Sequence, residues 1–203
     1  MYWKNKRVLV TGGAGQIGSH LVARLAAAGA QVTVADNLWR GKKTNLLGEN
    51  GVPVIDMEHR FLELDLADYR NCEQATEGQD IVYHLADVVA GINYVFGNQF
   101  SLFNTNLIID SNMLRAAVAN KISSYVYVGT ACSYPAERQS KLNPPPFKEE
   151  DAYPASPESS YGWSKLMGEY EAFLMEKETA TPVCVLSLHN VYGTPTDYAE
   201  GRS

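Results

Sequence analysis

Long apolar runs are missing from this chain of 203 residues. No predominantly apolar run reaches the roughly 18 residues needed for a membrane-spanning helix. Positive charge is also scarce. With 17 Lys and Arg against 23 Asp and Glu the formal net charge is -6, and no dense basic stripe forms, which argues against a nucleic-acid partner. Cysteine is sparse and odd in number: Cys72, Cys132 and Cys184 offer no disulfide framework, so reduced thiols in a cytoplasmic protein are expected. No metal site is expected. Met1-Tyr2-Trp3-Lys4 leads straight into a first strand and leaves no room for a signal peptide. Glycine and proline, at 16 and 9 residues, point to shaped loops rather than to disorder.

What is present is concentrated between Arg7 and Asp36. Val8-Leu9-Val10 is an uncharged strand run, followed by Thr11-Gly12-Gly13-Ala14-Gly15-Gln16-Ile17-Gly18-Ser19. Leu21, Val22, Leu25 and Ala26 then recur at helical spacing until Gly29, and Gln31 to Ala35 forms a second strand that ends in Asp36. Strand, glycine-rich turn, helix, strand and acid make up a dinucleotide-binding βαβ unit. Gly12 allows the sharp turn, Gly15 removes a side chain where a pyrophosphate must approach, and Gly18 lets the helix pack closely. The helix start offers backbone N–H groups to phosphate. Asp36 suits the hydroxyls of an adenosine ribose and repels a 2′-phosphate, which favours NAD over NADP. Arg40, Lys42 and Lys43 close behind it are cations that could meet such a phosphate.

The rest alternates strand with helix. Val52 to Met57 is a candidate extra edge segment, and Arg60 to Leu64 is a third parallel strand ending in Asp65-Leu66-Ala67-Asp68. Asp65 stands where it could bond an adenine amine, with helix capping as its alternative; Asp68 reads as the cap. A helix over Tyr69 to Thr76 is closed by Gly78, and Asp80 to Ala86 is the fourth strand, with His84 as a structural residue inside it. Gly91 to Phe103 reads as a loop and helix start. Asn106 to Ala119 is a long helix whose buried face is assigned to Leu107, Ile108, Ser111, Leu114, Ala117 and Val118. Asn106 and Asn112 interrupt it, either bonding backbone near the site or lying on the surface. Ser124 to Gly129 is the fifth strand, Gln139 to Ser159 a proline-rich loop over the site, Ser160 to Glu178 a helix, and Val183 to Leu188 the sixth strand before a Gly/Pro-rich tail. Cys72 and Cys184 read as packing residues. This order predicts an α/β fold, a Rossmann-type doubly wound parallel sheet with helices on both faces.

Tyr161 and Lys165 stand four apart, on one face of a helix. A lysine beside a phenol lowers the cost of phenolate, so the phenol can take a proton from an alcohol as hydride leaves its carbon. Lys165 could also hold a nicotinamide ribose. Thr130 ends the preceding strand and can donate to the same substrate oxygen.

The ordered set Gly12 to Gly18, Asp36, Asp65, His84-Leu85-Ala86, Thr130 and Tyr161/Lys165 resembles the signature of the extended short-chain dehydrogenases/reductases that modify nucleotide sugars, end to end. The resemblance implies a catalytic set of Thr130, Tyr161 and Lys165. It implies a cofactor site of Gly12, Gly15, Gln16, Ile17, Gly18, Asp36, Asn37, Asp65, Leu66, Leu85, Ala86 and Asn106 together with Tyr161 and Lys165. It also makes His189-Asn190 the lead into a nucleotide-sugar site, with Thr130 and Cys132 on the substrate. Dehydratases of the family carry an acidic pair after the catalytic hydroxyl, where this chain has Ala131-Cys132. Cys132 followed by Ser133-Tyr134-Pro135 resembles the GDP-mannose 3,5-epimerases and, nearly as well, the GDP-fucose synthases, in which the cysteine is an acid/base. A thiol suits that task, with its ordinary pKa near 8.5; the bland alternative is a small buried hydrophobe. Three positions depart from the pattern: Ser187, Gly129 and Asp87 stand where an arginine, a serine and a small residue are usual.

The expected activity is therefore that of an NAD-dependent nucleotide-sugar epimerase acting through a transient keto-sugar, on a GDP-sugar by the Cys132 segment. The alternatives are an NADPH-dependent epimerase-reductase, a 4-epimerase or dehydratase, or a non-catalytic dinucleotide-binding protein. Residues 1–186 are expected to form the NAD-binding domain and 187–203 to begin a nucleotide-sugar-binding domain, most of which, with a second acid/base, would lie beyond Ser203. A homodimer through the two long helices is expected.

Overall fold

A computed structural model describes residues 2–140 and 145–195. Asn143 and Pro144 of the proline-rich loop, and the tail beyond Pro195, lie outside the described residues. Six strands form one parallel sheet: β1 (Arg7–Thr11), β2 (Gln31–Asp36), β3 (Phe61–Glu63), β4 (Ile81–His84), β5 (Ser124–Thr130) and β6 (Val183–Leu188). Their spatial order is β3-β2-β1-β4-β5-β6, with the reversal between β1 and β4 that opens a ligand crevice at the strands' carboxyl ends.

Period-two alternation divides the sheet's side chains between two cores. Val8 and Val10 of β1 face α1 (Gln16–Ala27), joining Val22, Leu25, Val32 and Val34. Leu9 faces the other way, with Tyr125, Tyr127, Met113, Leu114 and Ala172, under α2 (Tyr69–Thr76), α4 (Gln99–Ala119) and α6 (Ser160–Thr179). The short helices α3 (Ile92–Gly97) and α5 (Ala136–Gln139) follow β4 and β5. Gly29 and Gly78 have φ of +90° and +68°, which explains why α1 and α2 stop there. Asp68 caps α2 by accepting from the Arg70 N–H at 3.0 Å, as its sequence position predicted.

Four readings need correction. Val52 to Met57 adds no strand; the segment makes a single antiparallel bridge, Leu47 with Pro53, because Gly51 turns the chain and Pro53 has no N–H to offer a ladder. Helix α4 begins seven residues before Asn106, at Gln99, and its buried face is rotated: Ile109, Asp110 and Met113 are buried, while Ile108 and Val118 are exposed. Hydrophobic spacing misplaced that face because three polar residues, Asn106, Asp110 and Asn112, lie inside. The two asparagines are therefore not surface residues. Cys72 is buried as expected, with its thiol pushed up to about 12 by burial, but Cys184 is exposed, since no described element covers that face of β6.

Candidate active site

The crevice is a cavity of about 770 Å³ walled by the strand ends. At its floor Gly12 has φ +65° and comes so near β4 that a Cβ there would sit 3.0 Å from the Ala86 nitrogen. A Cβ on Gly18 would overlap the Gly12 carbonyl oxygen, so the third glycine fits the helix against the turn itself. Gly15 is the N-cap of α1 and supplies no side-chain cap, and the first turn has no acid. The helix's positive end, with Gly15, Gln16, Ile17 and Gly18 on the wall, is thus left for an external anion. A pyrophosphate fits this cradle.

Asp36 lies at the end of β2, 7% exposed, and accepts from the Ala14 N–H at 3.0 Å and the Leu38 N–H at 2.8 Å. Burial lifts its pKa, and those two bonds work against the lift. Asn37, Asp65, Leu66, Leu85 and Ala86 join Asp36 on the wall. Asp65 commits one oxygen to the Ala67 N–H at 3.0 Å. Asn106 is buried and holds the loop after β4 at both ends of one residue, accepting from Val88 N–H at 2.8 Å and donating to Val88 C=O at 3.1 Å. Sequence reasoning did not name Trp39, Gly41 and Asn45, which also line the cavity; Arg40, seen only as a cation, donates to the Val89 carbonyl at 2.6 Å and ties the adenosine-side loop to the loop after β4. In the sequence only the cations behind Asp36 mark this loop, and they do not show which residues turn inward.

At the opposite end Thr130, Tyr161 and Lys165 converge. Thr130 ends β5, accepts from the Cys132 N–H at 3.2 Å to cap the turn Ala131–Ser133, and lies close enough to the Tyr161 phenol to favour its ionised form. Ser159 caps α6 by accepting from the Gly162 N–H. A Cβ on Gly162 would overlap the Cys132 carbonyl oxygen, so glycine is what allows the start of α6 to close on that turn. Cys132 is exposed, which removes the buried-hydrophobe alternative, and the cavity wall stops short of it. His189 lines the wall; Asn190 is exposed and does not.

Lys165 is 3% exposed, and its Nζ lies 2.8 Å from Asp87 Oδ2 and 4.2 Å from the Tyr127 ring centre. Behind it, His84 Nε2 is 2.9 Å from Asp110 Oδ1, and the Tyr127 hydroxyl donates to Asp110 Oδ2 at 2.6 Å. Burial opposes the charge on Lys165, but Asp110 and Asp87 outweigh it and hold the ammonium well above its ordinary pKa. Burial pushes the Tyr161 phenol up to about 12, with Lys165 working against that rise and Asp87 adding to it. His84 is structural, as expected from its strand position, with burial lowering its pKa. Asp87 was noted only as a departure from a pattern, and Asp110 was not noted. Their partner, Lys165, is far away in sequence.

Glycine cradle, acid after β2 and Thr-Tyr-Lys set define an extended short-chain dehydrogenase/reductase. The chain belongs to the NAD dependent epimerase/dehydratase family, whose model matches residues 8–202. It is similar to GDP-mannose 3,5-epimerase 1 of Oryza sativa subsp. japonica, at 34% identity over 99% of this chain and 51% of that protein. Among solved structures it resembles the UDP-glucose 4-epimerase of Thermus thermophilus in complex with NAD, at 30% identity, a TM-score of 0.77, and coverage of 94% of this chain and 57% of that one. It also resembles the UDP-glucose 4-epimerase of Thermotoga maritima with UDP-glucose, at 28% identity, a TM-score of 0.80, and coverage of 97% and 60%. The chain spans about half the length of the curated relatives it matches.

Proposed function

We propose that this chain is the dinucleotide-binding and catalytic part of an NAD-dependent nucleotide-sugar epimerase, acting through a transient keto-sugar, with a GDP-sugar as substrate. The observation that carries the reading is the convergence of Thr130, Tyr161 and Lys165 at one end of the cavity whose other end holds Asp36. In this reading the start of α1 binds the pyrophosphate, and Asp36, with two oxygen lone pairs still open, receives the adenosine ribose hydroxyls. NAD supplies a hydride acceptor that later returns the hydride. Thr130 donates to the sugar oxygen, Tyr161 takes its proton, and Cys132 exchanges a proton on the carbon next to the ketone, which that ketone has made acidic. Similarity to a GDP-mannose 3,5-epimerase favours the GDP-sugar. Nothing about Asp36 favours the NADPH-dependent alternative.

The test uses the full-length protein with a panel of nucleotide sugars in deuterated water. Deuterium should enter a ring carbon with no net change in cofactor absorbance, and Cys132→Ala should slow that exchange by about 10²- to 10⁴-fold, the usual contribution of a positioned acid/base. Net consumption of reduced cofactor, or exchange undiminished in the variant, would overturn the reading.

The same proposal covers the assembly. The NAD domain runs through β6 to Leu188, two residues past the expected boundary, and the described residues 189–195 open the nucleotide-sugar domain. Trp163, Tyr170 and Leu174 are exposed at positions that follow one stripe of α6, and Ile108 and Val118 are exposed on α4. We read these faces as a homodimer contact. Sedimentation should find a dimer that Leu174→Glu splits; a wild-type monomer would refute it. Three free cysteines support a cytoplasmic setting, which fractionation of the host cell checks. Among the described residues no helix is long and apolar enough to cross a membrane.

A further inference from the structure

Asp87 is 5% exposed in its side chain, lies on the cavity wall beside Tyr161 and Lys165, and makes one strong contact, the 2.8 Å ion pair with Lys165. Its Oδ1 has no hydrogen-bond partner, and the neighbouring Val88 N–H is already given to Asn106. A buried carboxylate with an open oxygen is costly; its pairing offsets part of that cost, and removing it alone would leave the buried Lys165 ammonium short of a partner.

The second carboxylate near Lys165 is different. Asp110 takes bonds from His84 on one oxygen and Tyr127 on the other, and Gly168 packs against both Asp110 and Tyr127 so tightly that a Cβ there would overlap them. Asp110 is therefore a fixed charge turned away from the cavity. Asp87 is the partner of Lys165 that faces ligand.

Position and charge together define its effect on chemistry. Lys165 favours the ionised form of Tyr161, and Asp87 opposes it. The groups acting on this centre are Tyr161 and Lys165 of α6, Asp110 of α4, Tyr127 of β5, His84 of β4 and Cys132 of the turn after β5. We propose that Asp87 is a positioning residue that holds the Lys165 ammonium at the cavity wall and offsets its charge at the Tyr161 phenol. Burial lifts Asp87 itself to about 7, against the pull of Lys165, so the offset can be titrated near neutrality. A ligand hydroxyl that draws Lys165 away from Asp87 releases its charge to Tyr161.

This inference rests on reading Tyr161 and Lys165 as the reacting pair, and its test is independent of turnover. Tyr161 ionisation is measured in the cofactor-free, full-length protein by absorbance near 295 nm, as the difference between each protein and its Tyr161→Phe partner. Asp87→Asn should lower the midpoint by about one pH unit, the size of a nearby charge's effect. An unmoved midpoint in a folded Asp87→Asn protein overturns the proposal. Should that variant not fold, nitrogen-15 lysine spectra of the wild type decide: a slowly exchanging Lys165 ammonium coupled through a hydrogen bond to the Asp87 carboxylate carbon supports it, and no such coupling refutes it. Calorimetric titration of the wild type with NAD separates the two failures, since absent binding sinks the proposed function and leaves the Tyr161 shift to judge Asp87.

Discussion

One hydroxyl settles the charge state of a buried histidine. Thr11 Oγ1 accepts from the Leu85 and Ala86 N–H groups at 3.1 Å each, so its own proton goes to His84 Nδ1, 2.8 Å away. His84 is thereby fixed as the neutral form that carries its proton on Nε2 and donates it to Asp110. Burial lowers its pKa from 6.5, so the unfolded chain binds a proton that the folded chain refuses as pH falls below 6.5. The stability that neutral His84 contributes is complete above that value and declines as pH drops toward the folded one. His84→Asn should therefore be less stable than the wild type at pH 7, with the gap in melting temperature narrowing at pH 5; a gap that widens would show a charged histidine. At this scale the sequence exposed residues whose chemistry is tied to local spacing: Gly12, Gly15, Gly18, Asp36 and the Tyr161/Lys165 pair. Asp87 and Asp110 stayed hidden because their importance comes from a lysine brought to them only by the packing of α6 beside α4.

Between elements, close approach depends on glycine. Gly162 sets α6 against the turn that carries Cys132, and Gly168 sets it against Tyr127 and Asp110. Alanine would raise intrinsic helix propensity at either position by about 1 kcal/mol. Overpacking costs on the order of 1–3 kcal/mol, and here the obstructing atoms at Gly162 are backbone, which cannot swing aside. Gly162→Ala should lower the melting temperature and displace the Cys132 turn from Tyr161, reducing turnover on the order of 10²-fold while leaving NAD affinity near wild type, because the cradle of α1 is untouched. Unchanged turnover, measured beside a calorimetric NAD titration, would show that the turn's position is not critical. Element order was readable from alternation and turn residues, and all six strands fall where those signals put them. The face of α4 was not, because buried polar groups broke the apolar period on which such a reading depends.

Across the whole molecule the cavity joins pieces that the sheet alone leaves loosely related. Its wall takes residues at the carboxyl ends of all six strands, from the loop after β2, and from His189, Val191 and Pro195. The last segment is pinned to α1, where Gln16 Nε2 donates to the Gly193 carbonyl at 2.7 Å and His20 Nε2 meets the Thr194 carbonyl at 2.6 Å. A dinucleotide bound along this wall in the folded chain alone should show its binding free energy as stability of the fold. At a hundredfold excess over its dissociation constant NAD should add about 2.7 kcal/mol. For a chain of this length that is roughly 5–10 °C in melting temperature. Asp36→Ala should lose most of that gain with NAD, since the ribose hydroxyls lose their acceptor, and should respond more nearly alike to NAD and NADP, since the charge that repels a 2′-phosphate is gone. Thermal melts of both proteins with each cofactor decide it: a wild type stabilised equally by NAD and NADP would mean that the cavity's cations, not Asp36, govern that end of the site.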